Sequence, residues 1–303
     1  MFSRNRYLII GGDGLIGSAL ANFLKNAGEA VLSTTRHKPT NDDSIYLDLA
    51  DEVGKWEILK YIGSFDAVIF CSGITEFDEC ENNKLITRIV NVENVINLAS
   101  ILERNCKHFV YLSSNAVFDG SNEYPSHNDI PSPINEYGRQ KAEVENLLLK
   151  LYPSSITILR LTKVLGSRNP LFENWSHALK NGDKIQHFSD MYIAPIPLFF
   201  VLSVIRNIIH RNLLGILHLS GDQDVSYADI AFKAVRWLGA NKKQIIPILV
   251  RGSNLFESVN RVSTRTALDI SRLKCELGLM PPSSIWTIEH FFLNPEILDG
   301  FQN

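Results

Sequence analysis

Three side chains suggest a reaction before any element is assigned. Ser114 stands in Ser113-Ser-Asn-Ala-Val-Phe-Asp-Gly120, and Tyr137 and Lys141 stand in Asn135-Glu-Tyr-Gly-Arg-Gln-Lys141. A spacing of four puts Tyr137 and Lys141 on one face of a helix. A phenol titrates near ~10, so it needs help to exchange a proton at neutral pH. An ammonium held beside it favours the phenolate and lowers that value. A serine hydroxyl opposite can donate to a carbonyl oxygen. Together the three can polarise a ketone, hand a proton to the forming alkoxide and hold the ribose of a nicotinamide cofactor that supplies hydride. Tyr-x-x-x-Lys arises often by chance; its context here gives it force.

Hydride chemistry needs a dinucleotide, and the start of the chain offers a place for one. The apolar run Tyr7-Leu-Ile-Ile10 reads as a buried strand entering the turn Gly11-Gly-Asp-Gly14-Leu15-Ile16-Gly17. A helix follows with Leu15, Ile16, Ala19, Leu20, Phe23 and Leu24 on one face. Glycines there allow a tight turn and close approach to a pyrophosphate, at which the new helix points its free N–H groups. Gly12, Gly14 and Gly17 fit the general dinucleotide spacing, while Gly11, Gly14 and Gly17 fit a looser G-x-x-G-x-x-G. Gly28 is placed to end the helix. The second strand, over 29–34, ends Thr34-Thr35-Arg36-His37-Lys38 without a carboxylate. An acid there would bind a ribose 2′-hydroxyl, whereas a cation welcomes a 2′-phosphate, so Arg36 and Lys38 favour NADP over NAD.

Further short apolar strands follow. The third ends in Asp48-Leu49, where an adenine amino group can be read, and the fourth, 67–70, ends in Cys71-Ser72-Gly73, small enough to leave room for a cofactor. Leu85, Ile89, Val92, Ile96, Ala99 and Leu102 repeat with helical period. The fifth strand ends at the Ser114 segment, and the Tyr137–Lys141 helix runs on through Leu147, Leu148 and Leu151. Strands alternating with amphipathic helices predict an α/β fold: a Rossmann-like, doubly wound parallel sheet whose ligands sit at the carboxyl ends of its strands.

Composition narrows the field. At 303 residues two lobes are expected, and a net charge of −3 gives no reason to invoke nucleic acid or an anionic membrane. Cys71, Cys80, Cys106 and Cys275 lie far apart, which suits reduced thiols in the cytoplasm, and the eight histidines show no ligand spacing, so no metal is expected. Arg4 and Arg6 lead into a strand with no cleavage site, so no signal peptide is expected. The most apolar run, 193–205, holds Pro195 and Pro197 and falls short of the ~20 helical residues that span a bilayer.

With these motifs the chain resembles the extended short-chain dehydrogenase/reductases, and within them the sugar-nucleotide reductases similar to dTDP-4-dehydrorhamnose reductase. The likeness rests on the glycine turn, the Ser113–Gly120 segment, Pro133-Ile-Asn-Glu-Tyr-Gly-Arg-Gln-Lys141 and Leu159-Arg-Leu-Thr-Lys-Val-Leu-Gly166, with weaker echoes at Asp190–Pro195 and Gly215–Gly221. It implies Ser114 as the catalytic hydroxyl, Tyr137 as general acid and Lys141 as its partner. Gly11, Gly14 and Gly17 would form the phosphate turn, and Asp48-Leu49 the adenine contact. Asn115-Ala116 stands where those reductases carry Asp-Tyr, and Lys163 where they often carry Trp. The same Asn115-Ala116 stands where 4,6-dehydratases place Asp-Glu, which argues against elimination. The implied activity is NADPH-dependent reduction of a 4-keto nucleotide-sugar, a step of polysaccharide biosynthesis. A sugar-nucleotide epimerase and a non-catalytic NADP-binding regulatory subunit are the alternatives.

The lobes are expected over 1–166, with a return near 193–220, and over 167–303, the second being a smaller α/β substrate-binding lobe. Helices are expected over 172–179, 198–209 and 227–238, the last opened by a capping box at Ser226-Tyr-Ala-Asp229. Asn115, Lys163 and Arg168 are candidate substrate contacts; Arg168, Arg251, Arg261 and Arg265 are candidate cations for a diphosphate. The family implies a homodimer pairing the 85–102 and 137–151 helices.

Overall fold

The computed structural model describes residues 5–39, 42–60, 65–249 and 263–300. The central strands of its main sheet are buried along almost their whole length. In β1 (Arg6–Ile10) Tyr7 to Ile10 are buried, in β4 (Ala67–Phe70) every residue is, and in β5 (Phe109–Ser114) the first five are. A strand buried on both faces has no polar side to show, which is why period-two alternation is missing from these runs. With β2 (Ala30–Thr35), β3 (Ser44–Tyr46), β6 (Ile156–Leu161) and a last strand Gly215–Leu219, the order is Gly215–Leu219, β6, β5, β4, β1, β2, β3. The pairs β1–β2, β1–β4, β2–β3 and β4–β5 are all parallel. This is a Rossmann-like α/β sheet, and its strand order reverses at β1, the point beyond whose carboxyl end such sheets bind their ligands.

Helix α1 (Leu15–Asn26) follows β1 directly and buries Gly17, Leu20, Ala21 and Leu24. Leu15, expected on that face, is exposed at the helix start. Gly28 takes φ +86 just beyond the helix, the left-handed conformation that ends it. The stretch expected as one regular helix over 85–102 is instead α-helical at Lys84–Arg88, a π turn at Ile89–Glu93, and α-helical again at Asn94–Leu102. The π turn adds a residue and widens the buried face: Val92, Ala99 and Leu102 are buried as expected, Thr87, Val90, Asn91, Val95 and Leu98 are buried as well, and Leu85 and Ile89 are exposed. The whole segment Lys84–Asn105 is, among the described residues, the one helix long and apolar enough to cross a membrane by length and composition. Half of its apolar window is buried inside the fold.

Packing divides the chain into two compact units. The first holds Met1–Val117, Asn135–Arg160 and Leu202–Leu217; the second holds Phe118–Ile134, Leu161–Val201 and His218–Asn303. The sequence sets a boundary at 166 with a return near 193–220; by packing the first unit runs to Arg160, returns over Leu202–Leu217, and leaves 118–134 to the second. Hydrogen bonds explain that assignment: Ser263 Oγ donates to the Phe118 carbonyl at 2.9 Å, and the Asp269 N–H to the Pro125 carbonyl at 3.1 Å. The second unit has its own core, in which Phe172, Trp175, Tyr227, Phe291 and Phe292 pack together. Its helices include Pro170–Lys180, started by Asn169, and Tyr227–Trp237, whose Ser226 cap accepts from the Asp229 N–H at 3.0 Å. Leu198–Arg211 forms the third expected helix and passes back into the first unit.

Candidate active site

Each glycine of the turn after β1 has its own steric reason. Gly11 takes φ +90, and a Cβ there would lie 2.8 Å from the Ser72 nitrogen. A Cβ on Gly17 would collide with the Gly11 carbonyl oxygen, and one on Gly12 would lie 2.8 Å from Ser33 Cβ. Gly14 differs. Its Cβ would meet only the Gly11 oxygen, at an ordinary 3.5 Å. Among the described residues no atom forbids a side chain there, yet Gly14 lines a cavity of about 250 Å3 that a side chain would begin to fill. Gly14 is also the N-cap of α1 and offers no side-chain cap, so the first N–H groups, those of Leu15, Ile16 and Gly17, have no intrahelical partner. Such a cradle suits the phosphates of a dinucleotide.

The cavity gathers most of the residues expected to touch a cofactor. Gly11, Arg36, Asp48 and Leu49 line it, as do Cys71, Ser72 and Gly73 after β4. Leu15, Ile16 and Gly17 sit in the first turn of α1 outside this lining, and exposed Lys38 is outside it as well. Asp48 also serves the backbone, accepting from the Ala50 N–H at 2.8 Å. Burial pushes the Cys71 thiol up to about 12, so it is no thiolate at neutral pH. Two residues that the sequence reading left out belong here. Thr34 Oγ1 accepts from the Gly11 N–H at 2.9 Å, and Asp13 Oδ2 accepts from Thr35 Oγ1 and the Arg36 N–H, both at 2.9 Å.

Ser114, Tyr137 and Lys141 meet where β5 ends against the helix Glu136–Leu151. That helix starts sharply because the Asn135 side chain accepts from the Gly138 N–H at 2.8 Å. Tyr137 is buried, its ring 5.5 Å from that of Phe77, and its side chain hydrogen-bonds that of Ser114. Lys141 is buried too. Its Nζ donates to the Leu112 carbonyl at 2.9 Å and lies 5.7 Å from the Tyr137 ring centre. A Cβ on Gly73 would stand 4.0 Å from that Nζ, so the ammonium borders the cavity. Burial lowers Lys141 to about 8, opposed by the charge of Glu145. The expected depression of Tyr137 is corrected here: burial raises its phenol, and the Ser114 hydrogen bond only partly offsets this.

Behind these groups lies a polar network. Glu145, one turn beyond Lys141, accepts from Ser113 Oγ at 2.5 Å and from Arg160 Nη2 at 2.7 Å, with both side chains of the ion pair buried. Asn91, brought inward by the π turn, donates to Gln140 Oε1 at 2.8 Å and accepts from the Ile74 N–H at 2.8 Å. The legible sign of Glu145 was Arg160, a cation inside the apolar strand Ile156–Leu161 that demands a buried counter-charge.

The candidate substrate residues are less concentrated. Asn115 follows Ser114 in the first unit and is half-buried. Lys163 and Arg168 are exposed residues of the second unit, where Arg168 pairs with Glu173 at 2.8 Å and Arg265 pairs with Glu123. Arg251 and Arg261 lie outside the described residues. Among the described residues no cluster of His, Cys, Asp or Glu could hold a metal ion, and all four cysteines are free.

A reversed parallel sheet, a glycine turn under a cavity and a Ser–Tyr–Lys set at the end of β5 define an extended short-chain dehydrogenase/reductase. Within that class the chain belongs to the RmlD substrate-binding domain family, whose model matches residues 5–289. It is 28% identical over 287 residues to a probable low-salt glycan biosynthesis reductase of Haloferax volcanii, covering 91% of this chain and 93% of that one. It is likewise 28% identical over 289 residues to the dTDP-4-dehydrorhamnose reductase of Aggregatibacter actinomycetemcomitans, covering 91% and 94%. The fold matches the crystal structure of dTDP-4-dehydrorhamnose reductase from Bacillus anthracis in complex with NADP at a TM-score of 0.82. That match covers 97% of this chain and 99% of the other at 20% identity.

Proposed function

We propose that the protein is an NADP(H)-dependent reductase of a 4-keto nucleotide-sugar. The carrying observation is the buried Tyr137, hydrogen-bonded to Ser114, with the Lys141 ammonium on the next helical turn and bordering the cavity. In this reading the glycine turn and the α1 N-terminus hold the pyrophosphate, Asp48-Leu49 the adenine, Arg36 the 2′-phosphate, and Lys141 the nicotinamide ribose. The bound nicotinamide supplies a hydride to the carbonyl carbon. Ser114 Oγ donates a hydrogen bond to the carbonyl oxygen and Tyr137 gives that oxygen its proton, leaving a phenolate that the Lys141 ammonium stabilises until solvent reprotonates it. The phenol is protonated at neutral pH, as a donor to the alkoxide must be, but burial makes it a weaker acid, so the phenolate needs the nearby ammonium as it forms. The relatives' names support the substrate class.

Asn115, Lys163 and Arg168 are the substrate contacts of this reading, and a homodimer through the helices at 85–102 and 137–151 is part of it. Exposed Leu85, Ile89 and Leu151 support that pairing. The test is NADPH oxidation in the presence of a 4-keto nucleotide-sugar. Tyr137→Phe is expected to lower kcat by about 10²–10⁴-fold while the NADPH dissociation constant stays within about threefold. A Phe variant with full activity overturns the role of Tyr137.

A further inference from the structure

In doubly wound folds an acid at the end of the second strand reads the ribose 2′-hydroxyl. Here β2 ends without one, yet the structure brings a carboxylate to the same place from the glycine turn. Asp13 Oδ2 accepts from Thr35 Oγ1 and from the Arg36 N–H, both at 2.9 Å, and Thr35 Oγ1 in turn accepts from the His37 N–H at 3.0 Å. The carboxylate is thus tethered to the last residues of β2, and it lines the same cavity as Arg36. Its Oδ1 has no partner among the described residues, and Asp13 makes no ion pair with the Arg36 guanidinium. The lining of this cavity therefore includes a carboxylate oxygen and a guanidinium that have no partner among the described residues.

We infer that Asp13 is a specificity-determining residue: with Arg36 it reads the ribose 2′ position, and it holds the preference for a 2′-phosphate below what Arg36 alone would give. This rests on the dinucleotide reading of the cavity proposed above. A free 2′-hydroxyl can donate to Oδ1, which favours NADH. A 2′-phosphate is drawn to Arg36 and repelled by Asp13, and over a few ångströms in a half-enclosed cavity such terms are comparable in size. The chain accordingly binds both dinucleotides, with NADPH ahead.

The test is fluorescence titration of NADPH and NADH, without substrate, on wild type, Asp13→Asn and Arg36→Ala. Asparagine keeps one oxygen for the Thr35 and Arg36 N–H donors but removes the charge. Asp13→Asn is expected to raise the ratio of the NADH to the NADPH dissociation constant by about tenfold, and Arg36→Ala to move it the other way. A change of both constants by the same factor in Asp13→Asn would mean that Asp13 only braces the turn, and the inference falls while the dinucleotide site stands. Wild type that binds neither dinucleotide overturns the proposed function itself, and this inference with it.

Discussion

Two ion pairs on one helix, two residues apart, show how differently the same chemistry serves the inside and the outside of this fold. On the inner face of Glu136–Leu151, Glu145 meets Arg160 at 2.7 Å with side chains 3% and 1% exposed. On the outer face Glu143 meets Arg88 at 2.6 Å, with 37% and 43% exposed. Both are close arginine–carboxylate pairs. In the outer pair water already solvates each charge, so the pair adds little. In the inner pair each charge depends on the other, and the pair carries a third member, Ser113, next to Ser114. Burial makes the inner pair a structural constraint on the site, where the outer pair is only a surface contact.

The contrast can be broken by mutation. Glu145→Gln leaves Arg160 charged and unmatched in the core and is expected to destabilise the fold by about 3–5 kcal/mol in denaturant melts. Replacing both partners, Glu145→Leu with Arg160→Leu, should recover most of that loss; a double variant as unstable as the single one would refute the desolvation account. A smaller effect comes from His108, buried with no counter-charge among the described residues, its Nε2 2.7 Å from Thr157 Oγ1. Burial pushes its imidazole from 6.5 down to about 4. The unfolded chain therefore takes up the proton first, so this stability is complete above pH 6.5 and is lost as pH falls toward 4. The loss is on the order of 3 kcal/mol, and His108→Gln should flatten that part of the pH profile. Smallest of all, Glu143→Gln should cost under about 1 kcal/mol and should cost less still in high salt. If the Glu143 and Glu145 variants melt alike, the distinction between inner and outer pairs fails.

Much of the site was legible because it is local. The glycine turn, the fifth-strand serine and the Tyr–Lys spacing are each written within a few consecutive residues, and the backbone geometry that joins them follows from strand, turn and helix in order. The 85–102 segment was legible as a helix and in the second half of its facing, where Val92, Ala99 and Leu102 are buried, but not in the first. A π turn carries no hydrophobic period of its own; it offsets the helix before it from the helix after it, so a period that fits Val92, Ala99 and Leu102 wrongly carries Leu85 and Ile89 into the core. Asp13 was passed over because a turn aspartate looks like solvent, and its partners Thr35 and Arg36 lie 22 and 23 residues away. Lys141 stands beside Tyr137 as expected, but burial raises the phenol and it is Ser114 that opposes the rise.

The sequence by itself determined which elements form, since buried strands, glycine turns and capped helices depend on side chains and backbone angles close together in the chain. It also determined that a phenol, an ammonium and a hydroxyl would be available at one end of β5. Only the tertiary structure decided how those groups titrate, which charges are buried, and that the acid at the end of β2 is supplied by another segment. Dielectric environment and pairing are set by what the fold brings near a group, and no short stretch of sequence contains its own surroundings.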